Sequence, residues 1–335
     1  MASIENVPTR ARGIEEILGF ANDQNISNDM LIKVGLRMNA NLLFGSNQRC
    51  VAMLIVFKSV MDETNISELP ESLRRTVAFL DFCRPLSVSM TNAYKLVKEE
   101  IVKLNQEIAK LRLDDHNVTH EENEAYEEQK QQLKKFIDCF IDEEIWSAQR
   151  GICENIYSNI ATNDVILVYG CSSIVQHVLL HARTKGKVFR VIVVDSPPHF
   201  NGRRMLTFLN ENSIGVAYTL INSLSYVIRQ ATKVLLGANS MLANGYVMSH
   251  IGTSQVALMA KASNVPALIC CETYKLSDRV YVDSFGCNEV EGGNLRYDLT
   301  PPEFVSMVIT EKSTVPAQSV PALLRFRAEK TKTSV

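Results

Sequence analysis

Apolar residues recur at helical spacing through the first half of the chain and gather into short unbroken runs through the second. Over residues 10–160 the pattern reads as helices separated by polar breaks, with almost no strict alternation of apolar and polar positions. Gly45-Ser46-Asn47 opens onto an apolar-rich stretch, residues 48–62, that reads as a core helix. Tyr94, Val97, Ile101, Leu104, Ile108 and Leu111 step by 3, 4, 3, 4 and 3, which draws a narrow apolar seam along one helix. Residues 114–128 are highly charged and contain Thr119-x-x-Glu122, a capping box for the helix that follows, while the charge run reads as a solvated hairpin tip. That following helix carries Leu133, Phe136, Ile137, Phe140, Ile141 and Ile145 and can fold back on its predecessor.

From about residue 164 the texture changes. Runs rich in β-branched residues at 165–169, 189–194, 216–221, 233–236 and 267–271 alternate with helical patterns. The intervening segments are long enough for crossover helices, so the strands are expected to be parallel with right-handed connections. A continuous apolar strand such as Val191-Ile192-Val193-Val194 fits a sheet covered on both faces. The predicted fold is α/β: an N-terminal α-helical domain over residues 1–160, then a doubly wound, mainly parallel Rossmann-like sheet domain over 161–326. Pro301-Pro302 is expected to start a last helix, and residues 327–335 form a polar tail.

Length and charge narrow the field. With 335 residues the chain has ample material for a buried core, and its formal net charge of -2 argues against nucleic acid as the main partner. The longest wholly apolar run, residues 51–57, falls far short of the roughly 20 residues a membrane span needs. The opening Met1-Ala2-Ser3-Ile4-Glu5 has no basic or apolar signal region. Cys50, Cys83, Cys139, Cys153, Cys171, Cys270, Cys271 and Cys287 form no CxxC pair and no Cys/His spacing typical of zinc. A cytosolic setting with reduced thiols, and no metal or cofactor, is the expectation.

Candidate chemistry lies where the predicted strands end, because open α/β sheets bind ligands outside their strand carboxyl ends. Residues 235–253 leave an apolar strand through Gly237 and enter a segment rich in Asn and Gly, shaped for a small ligand. Its first polar position is Asn239, an amide that cannot accept a proton as a base. After the first strand come Gly170, Cys171, Ser172 and Ser173 at a helix start. There the serines can cap the helix or backbone N–H groups can hold a phosphate, and Cys171 is either an activated or a buried thiol. His177 and His181 lie one helical turn apart, spaced like a metal pair yet without an acidic or Cys partner nearby in sequence. The second strand ends in Asp195, followed by Arg203 and Arg204, and the fifth is followed by Glu272 and Lys275. With Asn239 and Asn244 these outline a polar pocket that lacks an acid/base or nucleophile/base pair. Neither the dinucleotide nor the nucleoside-triphosphate glycine fingerprint occurs.

The ordered segments D-V-I-L-V-Y-G-C-S-S (164–173), V-V-D-S-P-P (193–198), G-A-N-S-M-L-A-N-G (237–245), I-G-T (251–253), C-C-E-T-Y-K (270–275) and Y-D-L-T-P-P-E (297–303) resemble the regulatory subunits of eukaryotic translation initiation factor 2B. G-S-N-Q-R-C (45–50) and C-R-P-L-S-V-S-M (83–90) extend the likeness, which covers residues 25–325 and is nearest the delta type. That family is homologous to sugar-phosphate isomerases such as methylthioribose-1-phosphate isomerase. Carried over by position, the isomerases' catalytic Cys falls on Gly170 and their catalytic Asp on Asn239, so both proton-handling groups are absent. Losing one such group typically lowers the rate by about 10²–10⁴-fold. The family's Arg after Asp-Ser is Pro197 here, and the segment 287–296 is short for a delta type.

The resemblance implies a non-catalytic regulatory and scaffold subunit of the guanine-nucleotide exchange factor for initiation factor 2. Its partners would be the alpha, beta, gamma and epsilon subunits of initiation factor 2B, and initiation factor 2 through its alpha subunit, whose phosphorylation the helical domains sense. Arg49 and Arg84 lie in the two best-matched helical segments; they either make intramolecular pairs or present guanidinium groups to that partner. The remaining pocket of Gly170, Cys171, Asp195, Asn239, Asn244 and Lys275 is then vestigial. The alternative is an active isomerase that uses displaced groups such as Cys171 and Asp195.

Overall fold

The structure, a computed structural model, describes residues 12–65, 68–114, 121–281, 283–284, 290–291 and 294–325. Helices α1 (Ile14–Asp23), α2 (Asp29–Asn39), α3 (Gly45–Glu63), α4 (Leu69–Cys83), α5 (Val88–Asp114) and α6 (Glu121–Phe140) make up the first unit. Helix α3 is buried on almost every side through Cys50, Met53, Leu54, Phe57 and Met61, as befits a helix apolar all round. Asn28 starts α2: its Oδ1 accepts the Leu31 N–H at 2.8 Å, and its Nδ2 donates to Glu63 Oε1 at 2.7 Å. The seam on α5 is buried at Val97, Ile101 and Leu104, and Leu133 and Ile137 of α6 are buried as well. The Thr119-x-x-Glu122 capping box, the hairpin tip and the polar tail lie largely or wholly outside the described residues.

The chain divides between Ile145 and Trp146, not near residue 160. A π-helical stretch (Ile141–Ser147) leads directly into α7 (Ala148–Tyr157), so helical periodicity runs unbroken across the division. Yet Ile152, Cys153, Ile156 and Ile160 pack with the sheet strands, and Asn155 Nδ2 donates to the Thr310 carbonyl at 2.7 Å. These contacts make α7 part of the sheet unit.

In that unit the strands are β1 (Val165–Tyr169), β2 (Arg190–Asp195), β3 (Gly215–Leu220), β4 (Lys233–Gly237), β5 (Ser240–Met241), β6 (Val247–His250) and β7 (Ala267–Cys270). Then come β8 (Val290–Glu291), β9 (Asn294–Leu295), β10 (Tyr297–Thr300), β11 (Met307–Ile309) and β12 (Thr314–Val315). Seven form one sheet in the order β12-β11-β7-β4-β1-β2-β3, parallel throughout except for β12. Alternate residues serve opposite faces. Leu167, Ile192, Val194, Leu236 and Ile269 pack on one side, and Ile166, Val168, Val191, Val193 and Leu235 on the other. Helices α8 (Ser173–Thr184), α9 (Gly202–Glu211), the short α10 (Leu224–Val227) and α11 (Thr253–Ala262) cover them. The five strands expected from sequence all occur, and the α/β class with a mainly parallel sheet is as expected.

Two expectations are corrected. Pro301-Pro302 starts only a 3₁₀ turn, Pro302–Phe304, after which Met307–Ile309 pairs with β7; helix resumes only at Val320. The run Val305-Ser306-Met307-Val308-Ile309 has the β-branched texture of an extended strand, and that outweighs the helix-starting prolines. The segment 235–253 is more ordered than a polar loop: β5 and β6 form a hairpin that β10 extends into a small antiparallel sheet. No helix among the described residues is long and apolar enough to cross a membrane.

Candidate functional site

The chain order reverses between β1 and β4, so the carboxyl ends of β1, β2, β4 and β7 border the crevice where such sheets bind ligands. Gly170 follows β1 directly. Its N–H donates to the Val194 carbonyl at 2.8 Å, and its φ of +60° is left-handed, a conformation that favours glycine. No atom lies within 4 Å of where a Cβ would stand, so a side chain there would meet strain and not a clash. Cys171 comes next, partly covered. Burial pushes its thiol up to about 11, which Arg204 opposes and Asp195 reinforces. A thiol so protonated at neutral pH is a poor nucleophile. Ser172 occupies the N-cap of α8 without a side-chain cap bond.

Asp195 is buried and already engaged: Oδ1 accepts the Ser196 N–H at 2.9 Å and Oδ2 accepts the Tyr218 hydroxyl at 2.8 Å. Asn239 is half-buried, and its N–H donates to the Met248 carbonyl at 2.9 Å, which pins the chain at the exit from β4. Lys275, also buried, places Nζ 2.8 Å from Glu272 Oε2 and 3.5 Å from the carbonyl of Ala238, beside Asn239. Thus the two groups offered by the fifth predicted strand form an ion pair with each other. Asn244 is the exception to the expected pocket. It lies in the turn between β5 and β6, where Nδ2 donates to the Tyr281 carbonyl at 3.3 Å and Oδ1 accepts the Tyr246 N–H at 3.4 Å. Neither bond reaches another predicted site residue.

Sequence reasoning passed over a second set of groups at this edge. The Tyr169 hydroxyl donates to the Ile251 carbonyl at 2.6 Å and lies 2.6 Å from Ser196 Oγ, which can donate to it. Burial pushes this phenol up to about 12. His250 places Nδ1 3.1 Å from the Ile251 carbonyl and Nε2 3.3 Å from Asn201 Nδ2, partners that suit a neutral ring protonated on Nδ1. Burial drives its pKa down to about 4; Arg296 and His199 push the same way and the Ile251 carbonyl opposes. Asp298 Oδ2 accepts N–H bonds from Gly252 and Ser254 at 2.8 and 2.9 Å. The I-G-T and Y-D-L-T segments were visible signals, but nothing in either reveals that they meet.

His177 bonds the Ser173 carbonyl at 2.7 Å and Gln149 at 3.0 Å, and His181 lies 3.4 Å from Glu154, so both histidines face α7. Among the described residues no three His, Cys, Asp or Glu are grouped to hold a metal. In the helical unit, Arg49 and Arg84 are 1% and 3% exposed. Arg49 Nη1 donates to the Pro85 carbonyl at 3.1 Å and Arg84 Nη1 to Asn41 Oδ1 at 3.3 Å. Of the two readings open in sequence, the intramolecular one describes this arrangement: both side chains are enclosed and tie loops within the unit.

A sequence model of the initiation factor 2 subunit family matches residues 43–317. Translation initiation factor eIF2B subunit delta of Schizosaccharomyces pombe is 35% identical over 341 residues, which cover 90% of this chain and 70% of that protein. The protein of the same name from Dictyostelium discoideum is 35% identical over 336 residues, covering 89% of this chain and only 51% of its own length. Ribose 1,5-bisphosphate isomerase of Thermococcus kodakarensis is 27% identical over 286 residues, covering 78% and 82%. Among solved structures, the tetrameric eIF2B-beta2-delta2 complex from C. thermophilum contains a chain that superposes with a TM-score of 0.79 at 28% identity, covering 92% of this chain and 96% of that one.

Proposed function

The chain belongs to the initiation factor 2 subunit family, and from that premise we propose that it is a non-catalytic regulatory subunit of the guanine-nucleotide exchange factor for initiation factor 2. The observation that carries the reading is the 35% identity to delta subunits over nine-tenths of the chain, through both units. It works by assembling with the other subunits of initiation factor 2B through its sheet unit and by contributing its helical unit to the recognition of initiation factor 2 and of its phosphorylated alpha subunit. A cytosolic location goes with this role.

The crevice at the strand ends is proposed to be a relic of isomerase chemistry. Gly170 and Asn239 stand where the isomerases have proton-handling groups, Asp195 is consumed by Ser196 and Tyr218, and the Cys171 thiol is held in its protonated form. Purification of the tagged chain from its own cells, followed by mass spectrometry, tests the proposal: the other exchange-factor subunits should co-purify, and increasing salt should not strip them at once. A lone homo-oligomer that turns over ribose 1,5-bisphosphate in a coupled assay would replace it with the isomerase reading.

A further inference from the structure

We propose that the connection from α8 to β2 is a docking surface for an acidic segment of a partner protein. Between Asp164 and Asp195 the sequence holds Arg183, Lys185, Lys187 and Arg190 but no carboxylate, in a chain whose formal net charge is -2. The four cations gather at the amino end of β2, the opposite end of the sheet from the crevice. Their backbone is a fixed platform. The Gly186 and Lys187 N–H groups donate to the Arg183 and Ala182 carbonyls, both at 3.0 Å, and Gly186 takes a left-handed φ of +87°, which closes the end of α8. Phe189 is buried, the Val188 carbonyl accepts the Asn163 N–H at 2.7 Å, and the Arg190 N–H donates to the Asp164 carbonyl at 2.9 Å. A backbone so tied has little freedom to lose when a partner binds.

The fold itself accounts for only part of this charge. The carbonyl end of α8 favours cations, which suits Arg183 and Lys185. Glu154 on α7 lies 3.9 Å from Lys185 Nζ and 3.4 Å from His181 Nε2. Lys187 and Arg190 stand past the helix end. Lys187 Nζ rests 4.7 Å from the centre of the Tyr157 ring, and Arg190 is exposed at the first residue of β2. Asp164, the acid at the foot of β1, is buried and already 2.6 Å from Lys233 Nζ.

Val188 decides the class of partner. Its side chain is 53% exposed, and Lys187 and Arg190 flank it in sequence. An acidic protein segment can set an apolar side chain against Val188 and carboxylates against the flanking cations, so shape and charge are both matched. A nucleic-acid backbone offers Val188 nothing, and the neighbouring Tyr157 ring carries Lys187 where a base would stack.

Fluorescence anisotropy of a labelled Glu-Glu-Leu-Glu-Glu peptide with the full chain tests this. Lys187→Gln with Arg190→Gln should weaken binding about tenfold. Val188→Ser should weaken it about threefold through lost apolar contact. Raising salt from about 0.1 to 1 M, which shortens the screening length from about 10 to 3 Å, should release the peptide. No binding at low salt overturns the proposal, as does an equal loss from Lys98→Gln with Lys135→Gln, two exposed cations of the helical unit. Tighter binding of a single-stranded RNA of equal charge would replace it with a nucleic-acid surface. Should the Lys187 and Arg190 double variant fail to fold, Val188→Ser, which keeps all four cations, decides: unchanged affinity removes the proposal.

Discussion

Tyr169 and Gly252 are in direct contact: the phenol oxygen lies where a Cβ on residue 252 would have to stand. Gly252 also adopts a φ of +98°, so both space and backbone demand glycine. Gly252→Ala is expected to destabilise the chain by about 2–4 kcal/mol, from overpacking and left-handed strain together. Tyr169→Phe removes the hydroxyl and with it the bonds to Ile251 and Ser196, which should cost about 1–3 kcal/mol. In urea denaturation of the double variant the two effects should fall modestly short of their sum, because the closest clash goes with the hydroxyl while the ring carbon that bears it, 2.6 Å from the Cβ position, and the left-handed strain remain. Strict additivity would show that the contact is not what forbids a side chain.

Lys275 and Glu272 form an ion pair with side chains 4% and 0% exposed. Removing one partner strands the other charge in the interior, and breaking such a pair typically costs about 3–5 kcal/mol. Lys275→Met should therefore unfold at markedly lower denaturant than Lys275→Met with Glu272→Gln, even though the double variant has lost more polar contacts. Equal midpoints would mean that water reaches the pair.

Much of this architecture was legible in sequence, for reasons that also explain the rest. Val191-Ile192-Val193-Val194 announces a strand covered on both faces, and it is one. The short strands Ser240–Met241 and Val247–His250 escaped because two to four residues among Asn and Gly carry no readable period. The unit division at Ile145 escaped because the helix continues through it. Arg49 and Arg84 stay undecided in sequence between internal pairs and a surface, since nothing local reveals that the Pro85 carbonyl and Asn41 will receive them. His250 and Asp298 are unremarkable until β6 and β10 pair and bring them to the same helix start.

If, as proposed, Gly170 and Asn239 replace a catalytic Cys and Asp of the isomerases, restoring those residue types should not restore the chemistry. Gly170→Cys forces a Cβ into left-handed backbone and should cost about 1–2 kcal/mol, although the space beside it is open. Asn239→Asp adds a carboxylate but leaves Asp195 and Lys275 bound to their present partners. The double variant is expected to fold, with a lowered midpoint, and to show no turnover of ribose 1,5-bisphosphate in a coupled assay. Measurable turnover abolished by Asn239→Ala would mean that the crevice is still a working site.

His250 and Asp298 should act on stability with opposite signs. The histidine is pushed down to about 4 in the fold, against an ordinary value of 6.5. Its unfolded form binds a proton first as pH falls, so its contribution is complete above 6.5 and is lost between 6.5 and 4. The aspartate is pushed up to about 7 from 3.8, so the folded state binds its proton first. Its contribution is complete below 3.8 and is lost as pH rises towards 7. Each has a limiting slope of about 1.4 kcal/mol per pH unit, and between roughly pH 4 and 6.5 the two nearly cancel. Urea midpoints of the wild type should be almost flat there. Asp298→Asn should unmask the histidine and gain stability with rising pH, whereas His250→Gln should lose it. Parallel curves for the two variants would refute the assignment of these opposed shifts to this pair.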